Sequence, residues 1–462
     1  MKSLVLAEKP SVARDIARVL GCHKNISGAI EGSNYIVTWA LGHLVTLADP
    51  EEYDKKFKAW DMSYLPMVPK KWELVVIKQT SKQYHNVKTQ LFRKDVSEII
   101  IATDAGREGE LVARWILDKS GCHKPIRRLW ISSVTDKAIK EGFAHLKDGR
   151  AYNDLYHAAR SRAEADWLVG INATRALTCK YNAQLSCGRV QTPTLAMIAH
   201  REQQIRSFKP EDYYGLRCTT SVTGGSVGTM ASIVTWTWQQ KKSGSLRSFN
   251  KDLITGLDKK LKNQTLTVTD VHTSSKRTPS PGLYDLTELQ RDANKRFGFS
   301  AKETLNIMQS LYEHHKVLTY PRTDSRYIGT DIVPTIKERL KACNIGPYKK
   351  YIPELLKKPL KTSKAFVDDK KVSDHHAIIP TEEYVQMEHM SNNERKIYDL
   401  VVRRFISVLY PAFEYEQTTL KAEAAGETFT AKGKVIKAAG WKAVYADAVS
   451  SGSSASQYDA YG

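Results

Sequence analysis

Cysteine is scarce and poorly spaced for metal or redox work. The six are Cys22, Cys122, Cys179, Cys187, Cys218 and Cys343, and none lies in a C-x-x-C pair, which argues against a zinc ribbon or a dithiol centre. Hydrophobic runs are short. Met1-Lys2-Ser3 leads into only four apolar residues, Leu4 to Ala7, before Glu8 and Lys9; that is too few for a secretory signal, and no stretch nears the roughly 20 apolar residues that cross a bilayer. A G-x-x-x-x-G-K-[ST] phosphate loop is also missing, since Gly433-Lys434 is followed by Val435, so nothing announces nucleotide hydrolysis. Acid is in deficit, with 50 Asp plus Glu against 70 Lys plus Arg, a formal charge of +20. The expectation is a soluble protein of the reducing cytoplasm, with neither membrane nor nucleotide among its partners.

At 462 residues the chain has room for about three domains of roughly 150 residues. Its positive charge suits a polyanionic partner or, more plainly, keeps a large protein soluble. Residues 1–150 alternate short apolar runs with helical stretches, the pattern of an α/β layer on a mostly parallel sheet. Strands are expected at Leu4–Ala7, Tyr35–Trp39, Ile99–Thr103 and Arg128–Ile131, and helices from Ser11 to about Leu20 and from Glu108 to Leu117, stopped by Gly121. Residues 151–212 read as helical, broken at Ser186-Cys187-Gly188 and at Pro193. Residues 213–277 turn β-rich, and 278–410 return to helix, with Ser300 and Glu303 spaced as a capping box. Residues 411–449 are β-rich again, and 450–462 read as a Ser/Gly tail.

Four segments carry chemistry. In Ile99 to Glu108 an apolar run ends and releases Asp104 and Glu108 where a helix begins; Glu8 stands just past Leu4–Ala7 in the same way. Carboxylates at the carboxyl edge of an open sheet can hold Mg²⁺, or can simply complement a helix dipole. In Leu318-Thr319-Tyr320-Pro321-Arg322-Thr323-Asp324-Ser325, Arg322 sits two residues from a tyrosine that needs a neighbouring cation to act as a nucleophile; a structural turn is the competing reading. Ser373-Asp374-His375-His376 could bind metal, touch phosphate or lie on a surface turn. Finally Arg162 and Asp166 share a helix face, and Arg189 and Gln191 follow Gly188 in a loop suited to phosphates and exposed bases, although Arg162 with Asp166 also reads as a plain surface ion pair.

In this order the motifs Leu6-Ala7-Glu8-Lys9-Pro10-Ser11, Gly42-His43-Leu44, Asp104 to Glu110, Gly188-Arg189-Val190-Gln191-Thr192, Leu318 to Ser325 and His375 with Ala377-Ile378-Ile379-Pro380 resemble those of type IA DNA topoisomerases, and within them the bacterial topoisomerase III branch. The resemblance covers about residues 1 to 449. It implies a multidomain α/β plus α plus β protein: an N-terminal Toprim α/β domain, helical DNA-groove and tyrosine domains, and a β-rich arch, together enclosing a toroidal hole. It implies that Tyr320 cuts one DNA strand through a 5′-phosphotyrosyl link. Arg322 then stabilises the phosphate, Glu8 acts as general acid, Lys9 sits on the scissile phosphate and His375 lies near the tyrosine. Glu8, Asp104 and Glu108 would hold Mg²⁺. Trp60, Arg162, Asp166, Thr174, Arg175, Ser186, Cys187, Gly188, Arg189, Val190 and Gln191 fall in the part that lines the single-strand groove. The implied partner is single-stranded or negatively supercoiled DNA, handled by a monomer on the bacterial nucleoid.

Two departures stand out. Gly106 replaces the middle acid of the family's D-x-D-x-E signature, which predicts weaker Mg²⁺ affinity. The helical segment that closes the groove domain after the arch is not found, so the ring is expected to be incomplete and strand passage impaired. A non-catalytic single-strand binder and a Toprim nuclease or primase are the competing classes; formation of a covalent protein–DNA adduct separates the three.

Overall fold

The computed structural model describes residues 1–132, 134–222, 232–372 and 375–446. The chain divides into two units, Met1–His200 with Gly282–Ile406, and Arg201–Pro281 with the chain from Ser407 onward. The 450–462 tail and the Ser373-Asp374 pair of the histidine motif lie outside the described residues.

The first unit is built on β1 (Lys2–Ala7), β2 (Lys24–Ile26), β3 (Ala29–Glu31), β4 (Tyr35–Trp39), β7 (Val96–Ala102), β8 (Ile126–Arg128) and β9 (Lys147–Asp148), in the order β2-β3-β4-β1-β7-β8-β9; β5 (Val45–Leu47) and β6 (Leu74–Val76) form a separate ribbon. β4, β1, β7 and β8 run parallel. Their residues alternate between two cores, as a period of two requires. Leu4, Leu6, Ile36, Ile99 and Ile101 face one side, under Val87 and Leu91 of α3 (Ser81–Leu91) and Leu111 to Leu117 of α4 (Arg107–Ser120). Val5, Ala7, Val37, Ile100 and Ala102 face the other, under Ala13 and Ile16 of α1 (Pro10–Val19) and Ile139 of α5 (Asp136–Ala144). Gly121 ends α4 in the left-handed region at φ 75°, a conformation glycine adopts freely.

Differences from the sequence reading have local causes. The fourth strand lies at Ile126–Arg128 rather than Arg128–Ile131, because it pairs with Ile99–Ile101 and Arg128 then turns inward. Pro193 does not break a helix. α6 (Asn153–Tyr181) ends, a loop intervenes, and α7 begins at Gln191 and runs to Ser207, so Pro193 occupies a first turn whose N–H groups lack intrahelical partners anyway. α9 (Leu286–Phe297) and α10 (Ala301–Glu313) follow, and Ser300 Oγ caps α10 by accepting from the Glu303 N–H at 3.1 Å. α13 (Asn392–Ser407) closes the unit against α10: Glu394 accepts from Ser310 Oγ at 2.6 Å and from the Ser391 N–H at 2.7 Å, and pairs with His315 at 3.3 Å. Burial opposes the charge of Glu394, but these hydrogen bonds outweigh it and hold its pKa at about 2. A folded-state pKa below the unfolded value stabilises the fold above about pH 4.5, and the gain is lost as pH falls towards 2. Glu394→Gln should therefore cost about 1–2 kcal/mol at pH 7, with the difference shrinking below about pH 4; urea midpoints of both proteins across that range would check it.

The second unit holds a five-stranded antiparallel sheet, β10 (Arg217–Val222), β11 (Ser232–Gln239), β14 (Glu427–Ala438), β13 (Phe413–Ala424) and β12 (Thr267–Thr278), in that order. Strands from both β-rich stretches thus share one sheet. The helix α8 (Lys251–Leu261), absent from the sequence reading of this stretch, packs Ile254 and Leu257 on Trp236, Trp238 and Phe429.

Candidate active site

β1 and β7 are neighbours in register, with Ala7 opposite Ala102, so the residues just beyond them meet at one sheet edge. Glu8 Oε2 accepts from the Asp104 backbone N–H at 3.0 Å. Burial, then the neighbouring Asp104 charge, raises the Glu8 pKa to about 7, and burial raises Asp104 as well. The loop is braced from beneath. Arg128, fully buried, donates to the Thr103 carbonyl at 2.9 Å, the Asp104 carbonyl at 2.7 Å and Glu110 Oε2 at 2.9 Å, while Thr103 Oγ1 donates to the Gly109 carbonyl at 2.7 Å. A Cβ at Gly109 would lie 2.0 Å from the Asp104 carbonyl oxygen. Gly109→Ala should therefore displace the acid loop and, in the reaction that the resemblance implies, lower the yield of protein–DNA adduct at least about tenfold while the sheet still folds; adduct yield beside a circular dichroism spectrum would check this.

Tyr320 reaches the same edge from the segment after α10. Its backbone N–H donates to the Ser132 carbonyl at 3.0 Å and its hydroxyl to Asp104 Oδ2 at 3.2 Å. Tyr312 packs edge-on against its ring with centroids 5.5 Å apart, and His375 stacks on it at 4.2 Å. Burial, then the charges of Asp104 and Glu8, push its phenol far above the ordinary range. His375 comes within reach because Leu318 bridges Pro380 and the Thr319 N–H donates to the Ile379 carbonyl at 3.0 Å. Burial, then His376, holds His375 at about 3 against the raising effect of the Ala105 backbone, so the ring is neutral, and among the described residues neither of its buried nitrogens makes a hydrogen bond of ordinary geometry. Buried polar atoms rarely go unpaired without a purpose. His376 is not on a surface turn. It is buried, with Nε2 3.0 Å from Ser132 Oγ and Nδ1 2.7 Å from the Ala377 carbonyl.

The cations are placed differently from one another. Lys9 donates to Glu313 Oε1 at 2.6 Å; burial opposes its charge, but the Glu313 hydrogen bond and the Asp104 and Glu8 carboxylates outweigh this and raise its pKa. Arg322 is exposed. Arg128, Glu313 and Tyr312 were not singled out from sequence. The one signal was an arginine in an otherwise apolar strand position; nothing local marks Glu313 as the partner of Lys9, more than 300 residues away.

Glu8 and Asp104 form a crowded, partly buried pair of carboxylates whose repulsion a hard divalent cation relieves, so these two fit Mg²⁺. Glu108 does not join them. It pairs with Arg162 and lies 3.9 Å from His43, and among the described residues no three His, Cys, Asp or Glu side chains converge as a metal site. Of the three expected carboxylates, Glu8 and Asp104 stand together, while the exposed start of α4 gives Glu108 a guanidinium partner. Gly106 has extended backbone, φ 179°, which any residue adopts.

Of the expected groove residues, Arg162, Asp166, Ser186, Arg189, Val190 and Gln191 are exposed or partly so, and Arg189 pairs with Asp166. Thr174 and Cys187 are ties rather than open contacts: the Cys187 N–H donates to Thr174 Oγ1 at 2.9 Å, and the Gly188 N–H to Thr192 Oγ1 at 3.0 Å, shaping the loop. Arg175 is buried, donating to the Phe57 carbonyl with its guanidinium 5.1 Å from the half-exposed Trp60 ring. It braces the aromatic rather than offering itself to solvent. No described helix is long and apolar enough to cross a membrane.

Residues 3–134 match the Toprim domain model, and residues 150–458 the DNA topoisomerase model. The DNA topoisomerase 3 of Bacillus cereus (strain ATCC 14579) is 64% identical over 444 residues, which span 96% of this chain and 59% of that protein. The DNA topoisomerase 3 of Bacillus subtilis (strain 168) is 60% identical over 96% of this chain and 60% of its own length. The chain thus spans about three fifths of these relatives. Full-length topoisomerase I from Thermotoga maritima shares the fold at a TM-score of 0.67 and 23% identity, across 96% of this chain and 67% of that one. With both models matched and topoisomerase 3 relatives at 60–64% identity, the chain belongs to the type IA DNA topoisomerase family.

Proposed function

We propose that this chain breaks and rejoins single-stranded DNA through Tyr320 and, in doing so, passes strands without ATP, so that DNA is relaxed or decatenated. The observation that carries the reading is the convergence of Tyr320, Asp104, Glu8 and the buried ring of His375 at one sheet edge. Tyr320 Oη attacks the scissile phosphorus and its proton passes towards Asp104 Oδ2, 3.2 Å away. The bond from phosphorus to the 3′-oxygen breaks, and the departing oxygen takes a proton from Glu8, whose pKa of about 7 leaves it partly protonated at neutral pH. Arg322, exposed and close enough to counter the phenolate charge, and Lys9 stabilise the phosphate oxygens, while His375 donates or accepts once the phosphate arrives. Religation is the reverse, with the 3′-hydroxyl attacking the phosphotyrosine and Tyr320 leaving. Bound Mg²⁺ would supply charge neutralisation beside Glu8 and Asp104 and order the DNA ends. The energy of the broken bond stays in the phosphotyrosine, so no nucleotide is consumed.

A 3′-labelled single-stranded oligonucleotide tests this. Denaturation after incubation should leave label on the protein, whereas a 5′-labelled strand should release a free shorter fragment; free fragments from both ends, or no cleavage at all, would contradict it. The exposed loop arginine makes a further expectation. Binding should fall steeply with salt, and Arg189→Ala should reduce the slope of log affinity against log salt by about 0.7, as one phosphate contact is lost; fluorescence anisotropy across a salt series checks this.

A further inference from the structure

Four charged side chains form one line beside the acid loop. Arg162 bonds Glu108 through Nη1, and its Nε lies 3.9 Å from Asp166 Oδ2; Asp166 in turn accepts from Arg189 Nε. The order is Glu108, Arg162, Asp166, Arg189. At one end is the carboxylate at the start of α4, four residues past Asp104, and at the other is the arginine of the exposed 182–190 loop. Their side chains are 38–53% exposed. Exposed pairs of this kind hold weakly and exchange cheaply, whereas a phosphate offers a guanidinium two parallel charge-assisted hydrogen bonds. Phosphates of a bound strand can therefore draw Arg189 and Arg162 away from their carboxylates. Arg162 is the member that bonds Glu108.

We infer that Arg162 is a DNA-operated latch on Glu108: without DNA it holds Glu108 away from Glu8 and Asp104, and a strand in the groove draws it off, freeing Glu108 to complete the cation site. This rests on the function proposed above. It accounts for Glu108 pairing with Arg162 while Glu8 bonds the Asp104 backbone. It also places metal-site assembly after strand loading, so that the cation is held firmly only when a substrate phosphate is present. Linkage makes the effect reciprocal: whatever DNA adds to cation affinity, the cation adds to DNA affinity.

The test measures Mn²⁺ binding by electron paramagnetic resonance on the full chain carrying Tyr320→Phe, with and without an oligothymidylate of about a dozen nucleotides. No cleavage is needed, so the result is independent of the adduct assay. If the adduct assay fails while the metal result holds, the proposed chemistry is wrong and the latch stands. Without DNA, adding Arg162→Ala should tighten Mn²⁺ about two- to fivefold, the range expected for removing one exposed ion pair, and the gain from added DNA should shrink by the same factor. In a Glu108→Gln background the effect of Arg162→Ala should disappear. Unchanged or weaker Mn²⁺ binding by Arg162→Ala without DNA overturns the latch. So does the same gain in the Glu108→Gln background, which would reflect only the general field of a lost positive charge, and so does the absence of saturable Mn²⁺ binding.

Discussion

Tyr320→Phe is expected to abolish the covalent adduct, at least about 10⁴-fold, while single-strand binding changes less than about twofold. The substitution removes one oxygen atom. That oxygen is the attacking atom, and no neighbour can replace it: Tyr312 is buried with its own phenol pushed well above the ordinary range, and it packs edge-on beside the reacting ring. Stability should move by no more than about 1 kcal/mol, because the single hydrogen bond lost, at 3.2 Å to Asp104, is of ordinary strength. Loss of the hydroxyl also removes a donor from a crowded carboxylate. Adduct yield by denaturing gel, anisotropy with unlabelled competitor, and a urea melt measure the three quantities separately. Residual adduct in the variant would move the nucleophile to another residue.

Arg128→Met carries the second large effect, on folding as well as chemistry. Arg128 is fully buried, meets Glu110 at 2.9 Å and donates to the carbonyls of Ile101, Thr103, Asp104 and Leu129. Taking out the cation leaves Glu110 buried with, among the described residues, only Arg114 as its ion-pair partner, and removes a donor from several carbonyls. Breaking one side of a buried pair costs about 3–5 kcal/mol, so the urea midpoint should drop sharply. Restoring neutrality with the pair Arg128→Met and Glu110→Gln should recover much of that stability without recovering cleavage, because the carbonyls of Thr103 and Asp104 remain unsupported. If the double variant regains both, the arginine only balances charge and does not position the acid loop.

Legibility differed by element, for physical reasons. Strands β1, β4 and β7 are apolar runs buried on both faces, and such runs announce themselves; each was read within about three residues at either end. Pro193 misled because the same residue that breaks a helix interior is tolerated in a first turn. The helix α8 was missed because its Lys-rich sequence lies between strands whose β-branched residues dominate the stretch. In the site, Glu8, Asp104, Tyr320 and His375 were named from motifs, and they do converge.

By itself the sequence determined the inventory: a basic chain without thiol pairs or a phosphate loop, a parallel apolar sheet releasing acids at its carboxyl edge, and a tyrosine beside an arginine. Those follow from residue type and period, which are local. Only the tertiary structure decided the partnerships. Lys9 with Glu313, Arg128 beneath the acid loop, Tyr320 against Asp104, and Glu108 with Arg162 rather than with Glu8 join residues far apart in the chain. No spacing rule reaches that far, because such pairs are fixed by which strand ends and helices the packed cores bring together.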